Sequence, residues 1–240
     1  MKRIFFLFSI QFFILSNMVY AQNKKLKNIK IVGAMKNVMM KGELFGNIYL
    51  DTISNKKHLY GIGPLENLLG EILVIDGKAY NSIVLSESKM KVEKSFNLKA
   101  PFFVYGNQFE WEKIELPNNI KTLNQLEKFI DEKTNDINFP FVFKIKGKIE
   151  YANIHIVNLA SGSIVKSPKD AHKGQINYKI YNKNSEIIGF FSRKHKAIFT
   201  HHTTFMHLHL ITNNRKMMGH LDDIKINKNK IQLYLPKFQH

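Results

Sequence analysis

His207 and His209 stand two apart in Phe205-Met206-His207-Leu208-His209-Leu210-Ile211, an apolar run with strand character. Residues two apart on a strand point to the same face, so both imidazoles converge on one ligand while Leu208 turns away with Met206 and Leu210. Asn213-Asn214 signals a turn, and Met217-Met218-Gly219-His220-Leu221 resumes the apolar run, which puts His220 on a neighbouring antiparallel strand. Three neutral imidazoles around one point leave a fourth position open, the arrangement of a catalytic zinc site rather than a closed structural one. A nearby acidic residue would fill or control that position.

Spacing alone leaves two readings open, because a half-buried histidine also satisfies itself on a backbone carbonyl without any metal. Cupin-type sites begin with His-x-His too, but they want a glutamate four residues after the second histidine, where this chain has Asn213. His201 and His202 are adjacent, face opposite ways on a strand, and read as solvent-facing or supporting groups rather than ligands. The chain has no cysteine, so a transition-metal site must draw on His, Asp or Glu. Stability must then come from the core or a metal rather than from disulfides.

The elements that position these residues follow from periodicity and turn chemistry. Ala34–Met40 reads as a short helix and Leu44–Leu50 as a strand. Glu71–Ile75, Asp76-Gly77 and Lys78-Ala79-Tyr80 form a hairpin signal. Lys89–Val92, Phe102–Tyr105 and Phe109–Leu116 are extended. Thr122-Leu123-Asn124-Gln125 is a capping box ahead of Leu123, Leu126, Phe129 and Ile130 at helical spacing. Beyond that helix the strand-like runs are Phe141–Ile145, Ile149–Val157, Gln175–Tyr181, Ile187–Phe191, Phe205–Ile211 and Ile224–Leu235. The expected class is α+β: an N-terminal domain over residues 22–137 with a mixed sheet and helices, then a C-terminal antiparallel sheet or barrel-like domain over residues 138–240.

Residues 1–21 carry the marks of a secretory signal peptide: Lys2-Arg3, an apolar run from Ile4 to Leu15, and Val19-Tyr20-Ala21 at the cleavage position. That run is shorter than the roughly 20 residues needed to span a bilayer. The expected mature protein starts at Gln22, periplasmic or extracellular, with no stable membrane insertion. Loss of Lys2 and Arg3 takes the formal charge from +17 to +15. Basic residues are dispersed in short groups such as Lys24-Lys25 and Arg193-Lys194, with no nucleic-acid motif beside them, so the charge reads as solubility and attraction of an anionic substrate rather than nucleic-acid binding.

Phe205 through Arg215, followed by Gly219-His220, resembles the metal motif of the acetolactate decarboxylase family. Leu59-Tyr60-Gly61-Ile62-Gly63 leading to Gly70-Glu71-Ile72, and Ile187-Ile188-Gly189-Phe190, agree with the same family over nearly the whole mature chain. The resemblance implies that His207, His209 and His220 bind zinc, that the metal site lies between the two domains, and that Glu71 reaches it from the first; Glu66 is a nearby second carboxylate. It implies decarboxylation of a small 2-hydroxy-3-oxo acid, 2-acetolactate, to acetoin, with zinc stabilising the enediolate, and leaves a homodimer open. Three positions depart from the family. His155 stands where the family's active-site arginine falls and is expected to contact the substrate carboxylate. Pro64 stands at the family's threonine, and the chain ends at Leu235-Pro236-Lys237-Phe238-Gln239-His240 before the family's C-terminal glutamate.

Overall fold

A computed structural model describes residues 29–238; the expected signal peptide lies outside the described residues. The strands are β1 (Lys30–Val32), β2 (Ile48–Tyr49), β3 (Leu59–Pro64), β4 (Glu71–Ile75), β5 (Lys78–Ser86), β6 (Lys89–Lys94), β7 (Lys99–Ala100), β8 (Phe103–Asn107), β9 (Trp111–Ile114), β10 (Phe141–Ile156), β11 (Ile176–Phe191), β12 (Met206–Thr212), β13 (Met218–Lys225) and β14 (Ile231–Pro236). Three short helices interrupt them: α1 (Met35–Lys41), α2 (Leu123–Lys133) and α3 (Pro168–Ala171). The protein is β-rich with few helices, and no helix among the described residues is long and apolar enough to cross a membrane.

Local chemistry explains the best-defined turns. Asp76 and Gly77 both take positive φ, 46° and 73°, as a two-residue turn between paired strands demands. Thr122 caps α2: its hydroxyl accepts from Gln125 N–H while the Gln125 side chain accepts from Thr122 N–H, and the helix buries Leu126 and Ile130.

Twelve of the strands form two six-stranded sheets, and β2 and β7 pair as a separate two-stranded one. The first runs β1-β8-β3-β4-β5-β6; the second runs β11-β12-β13-β10-β14-β9 and closes on itself because β10 also pairs with β11. That closed circuit is the barrel-like part of the fold. β9, which precedes residue 137, joins it through β14. Ile114, Leu126 and Ile130 lie in the same core cluster as Phe143, Leu208 and Leu233. A separate cluster joins the two sheets, with Tyr60, Ile62, Leu73 and Val104 of the first against Val142, Ile188, Phe190 and Ile211 of the second. Full burial of each such aliphatic side chain is worth about 1.5–3 kcal/mol.

The longest strands differ from the sequence reading. Phe141–Ile145 and Ile149–Val157 are one strand, β10, and Gln175–Tyr181 and Ile187–Phe191 are parts of one strand, β11. Their polar middles read as breaks but pair with each other, Gly147 with Ser185 and Lys148 with Asn184. Gly147 adopts φ +145°, and a Cβ there would stand 2.1 Å from Lys230 O, so this glycine marks a close approach of backbone rather than a strand end. β3 carries no alternation because all six of its residues are buried. Gly61 leaves room for the Phe103 ring, which would lie 2.6 Å from an added Cβ.

Candidate metal centre

The pairing of β12 with β13 sets His209 directly opposite His220, while His207 lies on the same face of β12 two residues away. The three rings are buried, with centroids 5.0 Å apart for His207–His209, 5.0 Å for His207–His220 and 5.6 Å for His209–His220. Each offers one nitrogen within 4.8 Å of the others. β13 thus supplies the third histidine where the sequence places it.

Nδ1 of His207 and both ring nitrogens of His209 are buried without a hydrogen-bond partner. The carbonyls of Phe199 and Ile72 favour a proton on His207 and His209, yet neither makes a hydrogen bond of full geometry, so the nitrogens remain unpartnered. An orphaned buried polar group costs about 1–3 kcal/mol. Burial first, and neighbouring imidazoles second, push all three histidines down; His209 falls from its ordinary 6.5 to about 3. Neutral imidazoles keep the lone pairs that a metal needs, so this donor set fits a divalent ion such as zinc.

Glu71 comes from the other sheet. It begins β4, is 3% exposed, and places Oε2 3.6 Å from Nε2 of His209. Its Oε1 accepts from Val157 N–H at 3.2 Å. Burial pushes its carboxyl well above the usual range; the Val157 N–H opposes that and the charge of Asp222 adds to it. Gly70, at φ +154° and with Ser82 O 2.2 Å from where a Cβ would stand, lets the chain deliver Glu71 from a tight approach to β5.

His155 on β10 lies opposite His220, with its ring 4.7 Å away. Its Nδ1 is 2.7 Å from Oδ1 of Asp222. Asp222 is a residue that the sequence reading missed. It is skipped in the β10–β13 register, where Asn153 pairs with Asp223 and Ile154 with Leu221, so it sits in a bulge, a feature that re-aims side chains. One signal was available: Asp222 follows His220 by two, the spacing that links His207 to His209.

His201 is half-buried with its ring 5.3 Å from His220, whereas His202 is exposed. Glu66 is engaged elsewhere, accepting from Gly46 N–H at 2.8 Å and facing Lys99 Nζ at 3.7 Å. Pro64 pairs with Glu71 across β3 and β4. A cavity of about 410 Å³ opens beside the histidines, lined by His201, His220, Asp222, Glu127, Met206 and Leu221 among others. It touches the triad only at His220.

Fold and site together define a β-rich protein with a buried three-histidine centre on the second sheet, faced by a carboxylate from the first. Residues 32–238 match the family model for alpha-acetolactate decarboxylase, and the chain belongs to that enzyme family. The alpha-acetolactate decarboxylase of Brevibacillus brevis is 24% identical over 213 residues, 89% of this chain and 72% of that protein. That of Streptococcus thermophilus is 26% identical over 197 residues, 80% of each chain. That of Methanosarcina mazei is 26% identical over 171 residues, 70% of this chain and 56% of that protein, so the chain spans little more than half its length. The crystal structure of alpha-acetolactate decarboxylase from Bacillus subtilis strain 168 shares the fold with a TM-score of 0.69 at 23% identity, covering 86% of this chain and 83% of that one. A Staphylococcus aureus protein described as similar to alpha-acetolactate decarboxylase shares it with a TM-score of 0.69 at 17% identity, covering 88% and 86%.

Proposed function

We propose that the chain decarboxylates 2-acetolactate to acetoin with a zinc ion held by His207, His209 and His220. The observation that carries this reading is the cluster of buried imidazoles with unpartnered nitrogens, of which His209 Nε2 faces the Glu71 carboxylate. Acetolactate bears its carboxylate on a carbon that also carries a hydroxyl and adjoins a ketone. When the carbon–carboxylate bond breaks, carbon dioxide leaves, the electron pair moves onto the ketone oxygen, and a proton added to carbon completes acetoin. Bound in the triad, the ion supplies Lewis acidity toward the oxygens of the substrate.

The chain's own groups do the rest. Glu71 Oε2, on a buried carboxylate, exchanges a proton with the substrate; burial raises its proton affinity above that of an ordinary carboxylate, which suits it to carry that proton. The Asp222 contact takes the Nδ1 side of His155, leaving Nε2 to meet the substrate carboxylate. Burial of these groups removes competing water, so each charge interaction is stronger than at the surface.

The same proposal exports the mature chain after cleavage at Ala21. Mass spectrometry of protein from its natural compartment should show an N-terminus at or near Gln22. For the activity, purified zinc-loaded protein is given acetolactate and acetoin is followed. Acetoin formation dependent on the ion supports the reading; full metal occupancy without acetoin would leave a metal-binding protein of this fold and no decarboxylase.

A further inference from the structure

A second cavity, of about 230 Å³, lies at the far end of β4 from Glu71, in the seam between the sheets. From the first sheet come Asp76 of the β4–β5 turn and Lys78 at the start of β5. β10 contributes Lys144 and Lys146, β11 contributes Glu186, and the β12–β13 turn contributes Arg215. Four cations therefore face two carboxylates, and both carboxylates are already engaged. Glu186 holds Lys146 at 2.7 Å through one oxygen and Arg215 at 2.8 Å through the other. Asp76 holds His58 at 2.7 Å.

Lys144 has no such partner among the described residues. Its ammonium is boxed on the apolar side by aromatic faces, 4.0 Å from the Trp111 ring centre, 5.2 Å from Tyr234 and 6.0 Å from Tyr60. Ring faces offset only part of the hydration that a half-buried ammonium loses. Burial first, and Lys146 second, push its amine down from 10.5 to about 8. Lys78 is exposed at the rim, also without a carboxylate partner among the described residues.

We propose that this cavity binds a small oxyanion, a carboxylate or inorganic phosphate, which docks on Lys144 and Lys78 and bridges the two sheets. The volume admits an ion of that size but falls below the roughly 300–1,000 Å³ of sites for larger organic ligands. Charge-assisted hydrogen bonds to the bound oxygens would replace the partner that Lys144 lacks. The Glu186 network holds Lys146 and Arg215 in place as fixed positive walls. Nothing in this site depends on the histidine centre, so its test is independent of the proposed reaction.

The protein contains a single tryptophan, Trp111, and its ring is the nearest aromatic face to Lys144. Its emission therefore reports the cavity without an added probe. The full chain is titrated with inorganic phosphate and, separately, with acetate, at constant ionic strength balanced with chloride. Isothermal calorimetry runs in parallel. The expected result is a saturable change with half-saturation in the millimolar range for at least one of the two ions; which ion saturates identifies the source. Lys144→Met should raise half-saturation at least about tenfold, read by calorimetry because the substitution itself alters the emission. Lys144→Arg should restore saturation, and Lys128→Met, on the exposed face of α2, should leave it unchanged. Circular dichroism checks that each variant is folded. Absence of saturation with both ions in the wild type, wild-type binding by Lys144→Met, or an equal loss in Lys128→Met would overturn the proposal.

Discussion

His155 Nδ1 lies 2.7 Å from Oδ1 of Asp222, and the other oxygen of Asp222 accepts from the side-chain amides of Asn177 at 3.0 Å and Asn153 at 3.4 Å. The imidazole that we propose stands at the family's arginine position is therefore held from behind by a carboxylate that is itself held by two amides. An arginine fixes its fork through its own planarity; a histidine needs an outside partner to fix its ring and its tautomer.

Asp222→Ala leaves His155 Nδ1 without that partner in a residue only 6% exposed. The expected cost in folding stability is about 1–3 kcal/mol, read as a shift in urea midpoint. If His155 meets the substrate carboxylate, KM for acetolactate rises more than kcat falls, and zinc content stays at the wild-type level. A stability loss with unchanged KM would make Asp222 a structural residue only.

His207→Ala and His209→Ala should each abolish tight retention of zinc, because two neutral imidazoles no longer meet the ligand count of an open catalytic site. Elemental analysis after dialysis gives the stoichiometry, about one ion per chain for the wild type. Both variants should keep the wild-type circular dichroism spectrum, since the rest of the β12 core is apolar and remains in place. Full occupancy in either variant contradicts the assignment of the His-x-His pair.

The triad was legible because its geometry is local: two histidines share a strand face, and a turn at Asn213-Asn214 brings back the strand that pairs His209 with His220. The hairpin at Asp76-Gly77 and the capped α2 were legible for the same reason, each being decided within four residues. What escaped depends on distant partners. Lys146–Lys148 and Asn184–Glu186 look like breaks until each is seen to be the other's strand partner. Glu71 meets His209 only through the packing of one sheet on the other, and family resemblance rather than spacing pointed to it. Asp222 required a bulge that has no sequence marker, and the Lys144 cavity gathers residues from both sheets.

Glu71→Gln keeps the size of the side chain and its hydrogen bond from Val157 but removes its capacity to carry the proton. Turnover of acetolactate should fall at least about a hundredfold, the lower range for loss of a general acid or base. Zinc retention should persist, since the three imidazoles are untouched. Near-normal kcat in the zinc-replete variant would remove Glu71 from the mechanism.

The buried histidines also set how the metal-free protein responds to acid. An unfolded histidine takes up a proton below about 6.5, whereas burial keeps His209 neutral down to about 3. Between those values the unfolded state binds more protons, so stability present above 6.5 is lost as pH falls through the window. His207 and His220 are displaced in the same direction for the same reason. Glu71 has the opposite sign: its carboxyl is raised, so it favours the folded state as pH falls toward its ordinary 4.5. Three imidazoles against one carboxylate leave acid destabilising. At about pH 5.5, one unit below the ordinary value, His209 alone accounts for roughly 1.4 kcal/mol. Chelator-treated protein should therefore show a lower urea midpoint at about pH 5.5 than at about pH 7.5, and His209→Gln, which carries no titrating ring, should flatten the dependence. An equal slope in the wild type and in His209→Gln would mean that the imidazole at the centre of the triad is not the buried, proton-excluding group that its surroundings make it.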